Sequence, residues 1–320
     1  MHADNPATRL TRLAPSPTGA LHLGNLRTFL VTWAIARQNN WHIVMRIEDL
    51  DGPRIKPDAE RLALDTLSWI GIDWDSDVAR QSDDLAPYTR AMERLAARAM
   101  AYPCELTRTE IADAASAPHA PDAAGEHETP FPTHLRPPIE PRSFADAATN
   151  WRFVVPDEQI VFVDDFVGPQ HLNPAHSIGD FVIWTKRAQP AYQLAVIVDD
   201  ARQGVTDVIR GDDLLDSTAR QLLLYRALDL RPPAHWMHLP LVVGPDGKRL
   251  AKRHGDTRVA HYRQHNVAPQ RIIGLLAHWC GITPAPKPMS AKEFLERFDC
   301  STIPRSRIVM RPEDDAWLFR

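Results

Sequence analysis

Residues 10 to 38 read Leu10-Thr-Arg12-Leu-Ala14-Pro-Ser16-Pro-Thr-Gly19-Ala-Leu-His22-Leu-Gly24-Asn25-Leu-Arg-Thr-Phe-Leu30-Val-Thr-Trp33-Ala-Ile-Ala-Arg-Gln38. Leu10–Ala14 is short and apolar enough for a strand. Pro15–Gly19 is a turn by composition, with two prolines that cannot donate and a glycine free to take positive φ. From His22 to Gln38 the apolar positions Leu23, Leu26, Leu30, Trp33 and Ala34 recur at helical spacing. Trp41–Glu48 then reads as a second strand. Strand, turn, helix and strand in this order open a doubly wound α/β fold, whose ligands bind outside the carboxyl ends of the strands.

Outward from this core, Pro57–Trp69 and Tyr88–Met100 read as helices. Between Ala112 and Ala148 periodicity fades into Ala, Pro, His and acidic residues, which predicts a flexible insertion. Trp151–Val155 and Ile160–Phe166 look like the two arms of a β-hairpin, and Phe181–Thr185 like a further strand. The second half of the nucleotide fold returns at Gln193–Val198 and Val208–Arg210. Ser217–Leu228 is an amphipathic helix and Val259–Cys280 reads as helical. Ala291–Trp317 suggests short helices joined by proline-bearing turns. The expected organisation is residues 1–105 and 191–258 as two halves of one catalytic domain, 106–190 as an inserted subdomain and 259–320 as a small helical unit.

A chain of 320 residues, 44% hydrophobic and 24% charged, has the composition of an ordinary globular enzyme. No apolar run reaches the ~18 residues of a membrane span, and Met1–Thr11 lacks the apolar stretch of a signal peptide, so the expected location is cytoplasmic. Cys104, Cys280 and Cys300 are too few for a disulfide framework. The net charge of −4 argues against indiscriminate nucleic-acid binding but leaves room for a local basic patch. Only six of the 37 basic residues are lysines, and two of them, Lys248 and Lys252, share one short segment.

Two segments carry anion chemistry. His22 and Asn25 stand three apart at a helix start, on one face, where imidazole and amide donors join unpaired backbone N–H groups and the positive dipole end. Gly24 between them permits close approach to the backbone. Far downstream, Gly244-Pro-Asp-Gly247-Lys248-Arg-Leu-Ala-Lys252-Arg253-His-Gly255 brings compact ammonium charge on a glycine-flanked loop. The acidic pairs Asp164-Asp165, Asp199-Asp200 and Asp212-Asp213 suit turn and helix boundaries better than a metal cluster.

The first segment resembles the "HIGH" signature of class I aminoacyl-tRNA synthetases and the second their "KMSKS" loop. The wording Arg-x-Ala-Pro-Ser-Pro-Thr-Gly and Arg-Leu-Ala-Lys-Arg is that of the glutamyl-tRNA synthetase family. The resemblance covers roughly residues 10 to 260. It departs from the family pattern at Ala251, where Ser is common, and at Arg249, where Lys is. What it implies is a Rossmann-type catalytic domain with an inserted acceptor-type α+β subdomain and a short helical C-terminal unit. It further implies activation of L-glutamate by ATP with Mg²⁺. His22, Asn25 and Lys252 would be catalytic; His22, Gly24, Asn25, Lys252 and Arg253 would bind ATP. Arg12, Ala14, Ser16, Glu48, Tyr192 and Arg210 would surround glutamate, two guanidinium groups meeting two carboxylates and Glu48 the α-ammonium.

Within the family the match is to a short branch that glutamylates queuosine in the anticodon of tRNA(Asp). The chain stops at Arg320, where a longer relative would continue into an anticodon-binding module, and the expected partner is the tRNA(Asp) anticodon stem-loop. A minimal enzyme charging the 3′ end of tRNA(Glu), or a non-catalytic nucleotide- or tRNA-binding relative, are the alternatives. Relatives often hold zinc through Cys-x-Cys followed by Tyr-x₃-Cys. Here Leu106 replaces the second cysteine after Cys104, no cysteine follows until Cys280, and His119, His127 and His134 are irregularly spaced, so no zinc is expected.

Overall fold

The computed structural model describes residues 9–50, 52–115, 130–248, 250 and 256–320. β1 (Leu10–Leu13) runs into the proline-bearing turn, α1 (Leu23–Gln38) follows, and β2 (His42–Ile47) returns parallel to β1, with Leu13 opposite Met45. Leu23, Leu26, Leu30, Trp33 and Ala34 are all buried, but so are Arg27, Val31, Thr32, Ile35 and Ala36, so α1 is enclosed on nearly every side from Leu30 to Ala36. α2 (Ala59–Ile70), β3 (Ala79–Arg80), α3 (Ala86–Ala97), β4 (Ala101–Pro103) and α4 (Arg108–Ala115) come next. They are followed by β5 (Trp151–Phe153), β6 (Ile160–Asp164), β7 (Gly168–Leu172), α5 (Pro174–Ser177), β8 (Val182–Thr185), β9 (Gln189–Pro190) and α6 (Tyr192–Gln203). β10 (Asp207–Gly211), α7 (Leu215–Ala227), β11 (His235–Leu239) and β12 (Val242–Val243) lead to α8 (Val259–Gln264) and α9 (Pro269–Trp279). α10 (Ala291–Arg297), β13 (Ile308–Val309) and α11 (Pro312–Leu318) complete the chain.

These elements form two compact units. The first joins the described residues through Arg80 to Val205–Leu214 and Ala234–Arg320. In it β1, β2 and β3 are parallel neighbours, as are β10 and β11. β10 runs alongside β1 in the same direction: Thr206 N donates to Leu10 O at 2.9 Å and Thr11 Oγ1 to Asp207 O at 2.9 Å. The carboxyl ends of β1, β2 and β10 therefore share one edge. Leu13, Met45, Ile47, Leu26 and Leu30 are fully excluded from solvent and form the seam between sheet and helix. Arg27, itself 1% exposed, donates from Nη1 to Pro240 O at 2.9 Å and ties α1 to the end of β11. The helical reading of Val259–Cys280 needs correction. The segment breaks after Gln264, where Asn266 takes φ of 59° and Pro269 starts a new helix.

The second unit is Gln81–Gly204 with Leu215–Pro233. It holds an antiparallel sheet in the order β4-β5-β8-β9 and a separate β6–β7 hairpin. Here the expected pairing of Trp151–Val155 with Ile160–Phe166 fails. β5 pairs with β4 and β8, while β6 pairs with β7, Ile160 opposite Leu172 and Asp164 opposite Gly168. The cause is local turn chemistry. Asp164, 1% exposed, accepts from Phe166 N at 3.0 Å and Val167 N at 2.8 Å, and Gly168 takes φ of 92°. Gln193–Val198 lies within helix α6, capped by Gly204 in the left-handed region. α6 packs on α3 and α7, with Asp199 Oδ2 accepting from Gln81 Nε2 and Tyr88 OH, both at 2.8 Å. Part of the expected flexible insertion is ordered: Phe144 meets the rings of Trp151 and Trp184 edge-on, and Asp146 O accepts from Trp151 Nε1 at 2.8 Å. The middle of that insertion, 116–129, lies outside the described residues.

Candidate active site at the strand ends of the first unit

β1, β2 and β10 deliver their residues to a common edge. Arg12, on β1, is 5% exposed and directs Nη1 at Ile209 O, 3.5 Å away on β10. The next residue of β10 is Arg210, also 5% exposed. Its guanidinium is anchored on two sides: Nε donates to His238 Nε2 at 2.9 Å and Nη2 to Leu214 O at 3.2 Å. Because His238 accepts at Nε2, its own proton sits on Nδ1. Arg210 also lies over the Trp236 ring, 5.3 Å from the centroid. Two always-charged forks thus stand side by side at the ends of neighbouring strands, the arrangement suited to a ligand with carboxylates.

Glu48 follows β2, and its backbone N donates to Pro15 O at 3.1 Å, which joins the end of β2 to the turn after β1. Its Oε1 accepts from Arg46 Nη2 at 3.1 Å, and Arg46 is 1% exposed. This ion pair orients the carboxylate at the end of β2. Ala14 is half-buried and Ser16 exposed in the turn. Arg46 escaped the sequence reading, though a signal exists: residues two apart on a strand share a face, so an arginine at Glu48 minus two points the same way.

His22 is the N-cap of α1, half-buried, with Gly24 behind it and Asn25 exposed on the first turn. His22 makes no side-chain cap hydrogen bond and the first turn of α1 holds no acidic residue, so no charge within that turn opposes an anion at the positive end of the helix dipole. The His22 side chain turns elsewhere: Nδ1 lies 2.9 Å from Thr257 Oγ1. The backbones lock beside it, with Leu23 N donating to Thr257 O at 3.1 Å, Val259 N to Leu21 O at 2.8 Å, and His22 bridged to Arg258. A Cβ on Gly24 would meet Val242 Cβ at 3.5 Å. Val242 and Thr257 flank the lysine segment on either side, so both of its stems rest against the first turn of α1.

Of that segment, Gly244–Lys248 forms a tight turn, with Gly244 N donating to Lys248 O at 2.8 Å and Gly247 at φ of 72°. Lys252 and Arg253 lie outside the described residues, as do Arg249 and Ala251. Just beyond, Arg258 pairs with Asp256, and its hydrogen bond holds that carboxyl down at about 2. Tyr192 belongs to the second unit, 40% exposed at the start of α6.

Cys104 sits in an apolar cluster with Tyr102, Ile111 and Phe131, flanked by Leu106. A lone thiol in such surroundings does not fit a thiolate zinc centre. Among the described residues no three His, Cys, Asp or Glu side chains gather around a possible metal position; His119 and His127 lie outside them. Among the described residues no helix is long and apolar enough to cross a membrane.

The family model for the catalytic domain of class I tRNA synthetases (E and Q) matches residues 9–312. The chain is 43% identical over 316 residues to a glutamyl-Q tRNA(Asp) synthetase of Symbiobacterium thermophilum, covering 96% of this chain and 97% of that one. It is 42% identical over 315 residues to a glutamyl-Q tRNA(Asp) synthetase of Rhodopirellula baltica, covering 93% of each. Among solved structures, a glutamate-tRNA synthetase from Elizabethkingia anophelis superposes with a TM-score of 0.78 at 28% identity, over 97% of this chain and 70% of that one.

Proposed function

The chain belongs to the class I tRNA synthetases of the E and Q branch, and from that premise we propose that it activates L-glutamate with ATP, without tRNA, and transfers it to queuosine in the anticodon of tRNA(Asp). It is a ligase of that family and shares its α/β catalytic fold. The observation that supports glutamate as substrate is the pairing of Arg12 and Arg210 at the ends of adjacent strands, with Glu48 at the end of the third.

In this reading the two guanidinium groups bind the two carboxylates of glutamate and Glu48 receives the α-ammonium. Ala14 and Ser16 border the amino acid. The reacting carboxylate attacks the α-phosphorus of ATP in line, pyrophosphate leaves, and negative charge spreads over the phosphate oxygens. Such catalysis is mostly positioning and electrostatic stabilisation. His22, Asn25 and the α1 N-terminus donate to the phosphates, Gly24 admits the nucleotide against the backbone, and Lys252 with Arg253 supplies cationic charge. Mg²⁺ bound with ATP would supply further neutralising charge at the phosphates.

The transfer target is supported by the relatives named glutamyl-Q tRNA(Asp) synthetase, which this chain matches over nearly their whole length. Sequence-specific RNA recognition favours splayed loop bases with phosphate contacts, so the anticodon stem-loop is the segment bound. We retain residues 1–105 and 191–258 as the halves of the catalytic domain, 106–190 as its insertion and 259–320 as a helical unit, in a cytoplasmic enzyme. Glutamate-dependent ATP–pyrophosphate exchange in the absence of tRNA tests the activation step: robust exchange is expected, and none would overturn it.

A further inference from the structure

Thr257 is 1% exposed, and its hydroxyl meets His22 Nδ1 at 2.9 Å. Among the described residues that hydroxyl has no other hydrogen-bond partner. The contact is held from both sides by backbone, through Leu23 N to Thr257 O and Val259 N to Leu21 O, so it does not depend on a loose side chain.

Two proton arrangements satisfy the distance, and burial separates them. If Nδ1 carried the proton, Thr257 would accept and its own O–H would be left buried with no acceptor, at ~1–3 kcal/mol. If Thr257 donates, the hydroxyl is satisfied, Nδ1 is a lone pair, and the proton of the neutral ring sits on Nε2. We propose that Thr257 is a positioning residue whose hydroxyl holds His22 in the Nε2–H form, so that a neutral imidazole presents an N–H donor to the ATP phosphates. This rests on the reading of His22 as a phosphate donor. It makes the donor independent of imidazolium formation.

The groups around His22 leave that arrangement undisturbed. Ala14–Leu21, Gly24–Leu26 and Val242–Gly244 carry no titratable side chain. Arg258, across the bridge, is neutralised by Asp256, which is ionised throughout the neutral range. His261, the nearby imidazole, approaches Asp256 at 3.5 Å. Lys252, Arg253 and His254 lie outside the described residues.

The test uses the full-length protein. In ¹H–¹⁵N spectra of histidine-labelled enzyme, with His22 assigned by His22→Gln, the wild type shows the proton on Nε2 and Nδ1 unprotonated. Thr257→Val, which keeps shape and removes the hydroxyl, lowers kcat of pyrophosphate exchange ~10–100-fold, the scale of losing orientation in a catalytic group. Its KM for glutamate stays within about twofold, since no glutamate contact is touched. Thr257→Ser restores kcat. Wild-type kcat does not fall as pH rises from about 7 to 9, above the ordinary imidazole pKa of ~6.5; His261→Gln has the same profile. A proton on Nδ1 in the wild type, a wild-type kcat in Thr257→Val, or a wild-type rate that drops tenfold per pH unit would overturn the proposal. The spectrum decides even if Thr257→Val fails to fold. Absence of exchange in the wild type would instead indict the functional reading.

Discussion

Gly24→Ala separates what the fold needs from what the ligand needs. A Cβ at this position meets Val242 Cβ at 3.5 Å, Val242 O at 3.9 Å and Val242 Cγ2 at 4.0 Å, all ordinary contacts. The protein therefore tolerates the methyl. Alanine replaces glycine near the start of α1, where helix propensity favours it by at most ~1 kcal/mol. Thermal unfolding should show Tm unchanged or raised by no more than a few degrees. The nucleotide side is different. If adenine and ribose pack against this backbone, the methyl overfills the gap at ~1–3 kcal/mol, or roughly 5–150-fold in the KM for ATP. Gly274 supplies the contrast, because a Cβ there would sit 1.9 Å from Lys287 O, a backbone atom. Gly274→Ala should lower Tm sharply while leaving the ATP KM of the folded fraction near wild type. Pyrophosphate exchange as a function of ATP, alongside thermal melts, reads both variants. An ATP KM within twofold of wild type in Gly24→Ala, or a fall of many degrees in its Tm, would refute the reasoning.

Three further outcomes follow from the same site and its surroundings. His22→Ala and Lys252→Ala should each lower the exchange rate ~10²–10³-fold, as expected for loss of one transition-state contact; near wild-type rates would remove them from the chemistry. Glutamine should be rejected against glutamate, because an amide opposite a buried guanidinium breaks a charge pair worth ~3–5 kcal/mol; comparable exchange with both amino acids would show the carboxylate pocket misassigned. In the second unit Asp180, fully buried, accepts from Arg136 at 2.6 and 2.7 Å, Tyr102 OH at 2.7 Å and Val155 N at 2.8 Å. Asp180→Asn strips the charge from this cluster and should destabilise by ~3–5 kcal/mol; an unchanged urea midpoint would contradict that.

What was legible in the sequence was local. α1 was readable because its large apolar residues Leu23, Leu26, Leu30 and Trp33 recur at helical spacing, and β1 and β2 because short apolar runs bracket it. The β6–β7 pairing was not, since it depends on Asp164 accepting from two backbone N–H groups in a turn. The break between α8 and α9 pairs Pro269 with a left-handed Asn266, and the asparagine's conformation is one that composition marks weakly. Helix α6 hid its first half as an apolar run, which periodicity cannot distinguish from a buried strand. The same division holds at the site. Arg12, His22, Glu48 and Arg210 stand in recognisable wording, whereas the partners that orient them come from afar: Thr257 is 235 positions from His22, and His238 is 28 from Arg210. Side-chain contacts over such separations leave no periodic trace.

The central claim is that glutamate leaves this enzyme on the anticodon of tRNA(Asp). The direct measurement is to glutamylate queuosine-containing tRNA(Asp) with radioactive glutamate, then digest the product and find which nucleotide carries the label. The account predicts label on queuosine, retained when the 3′-terminal nucleotide is cut away. Label that departs with the 3′-terminal adenosine of tRNA(Glu) would contradict it and make the chain a minimal glutamyl-tRNA synthetase.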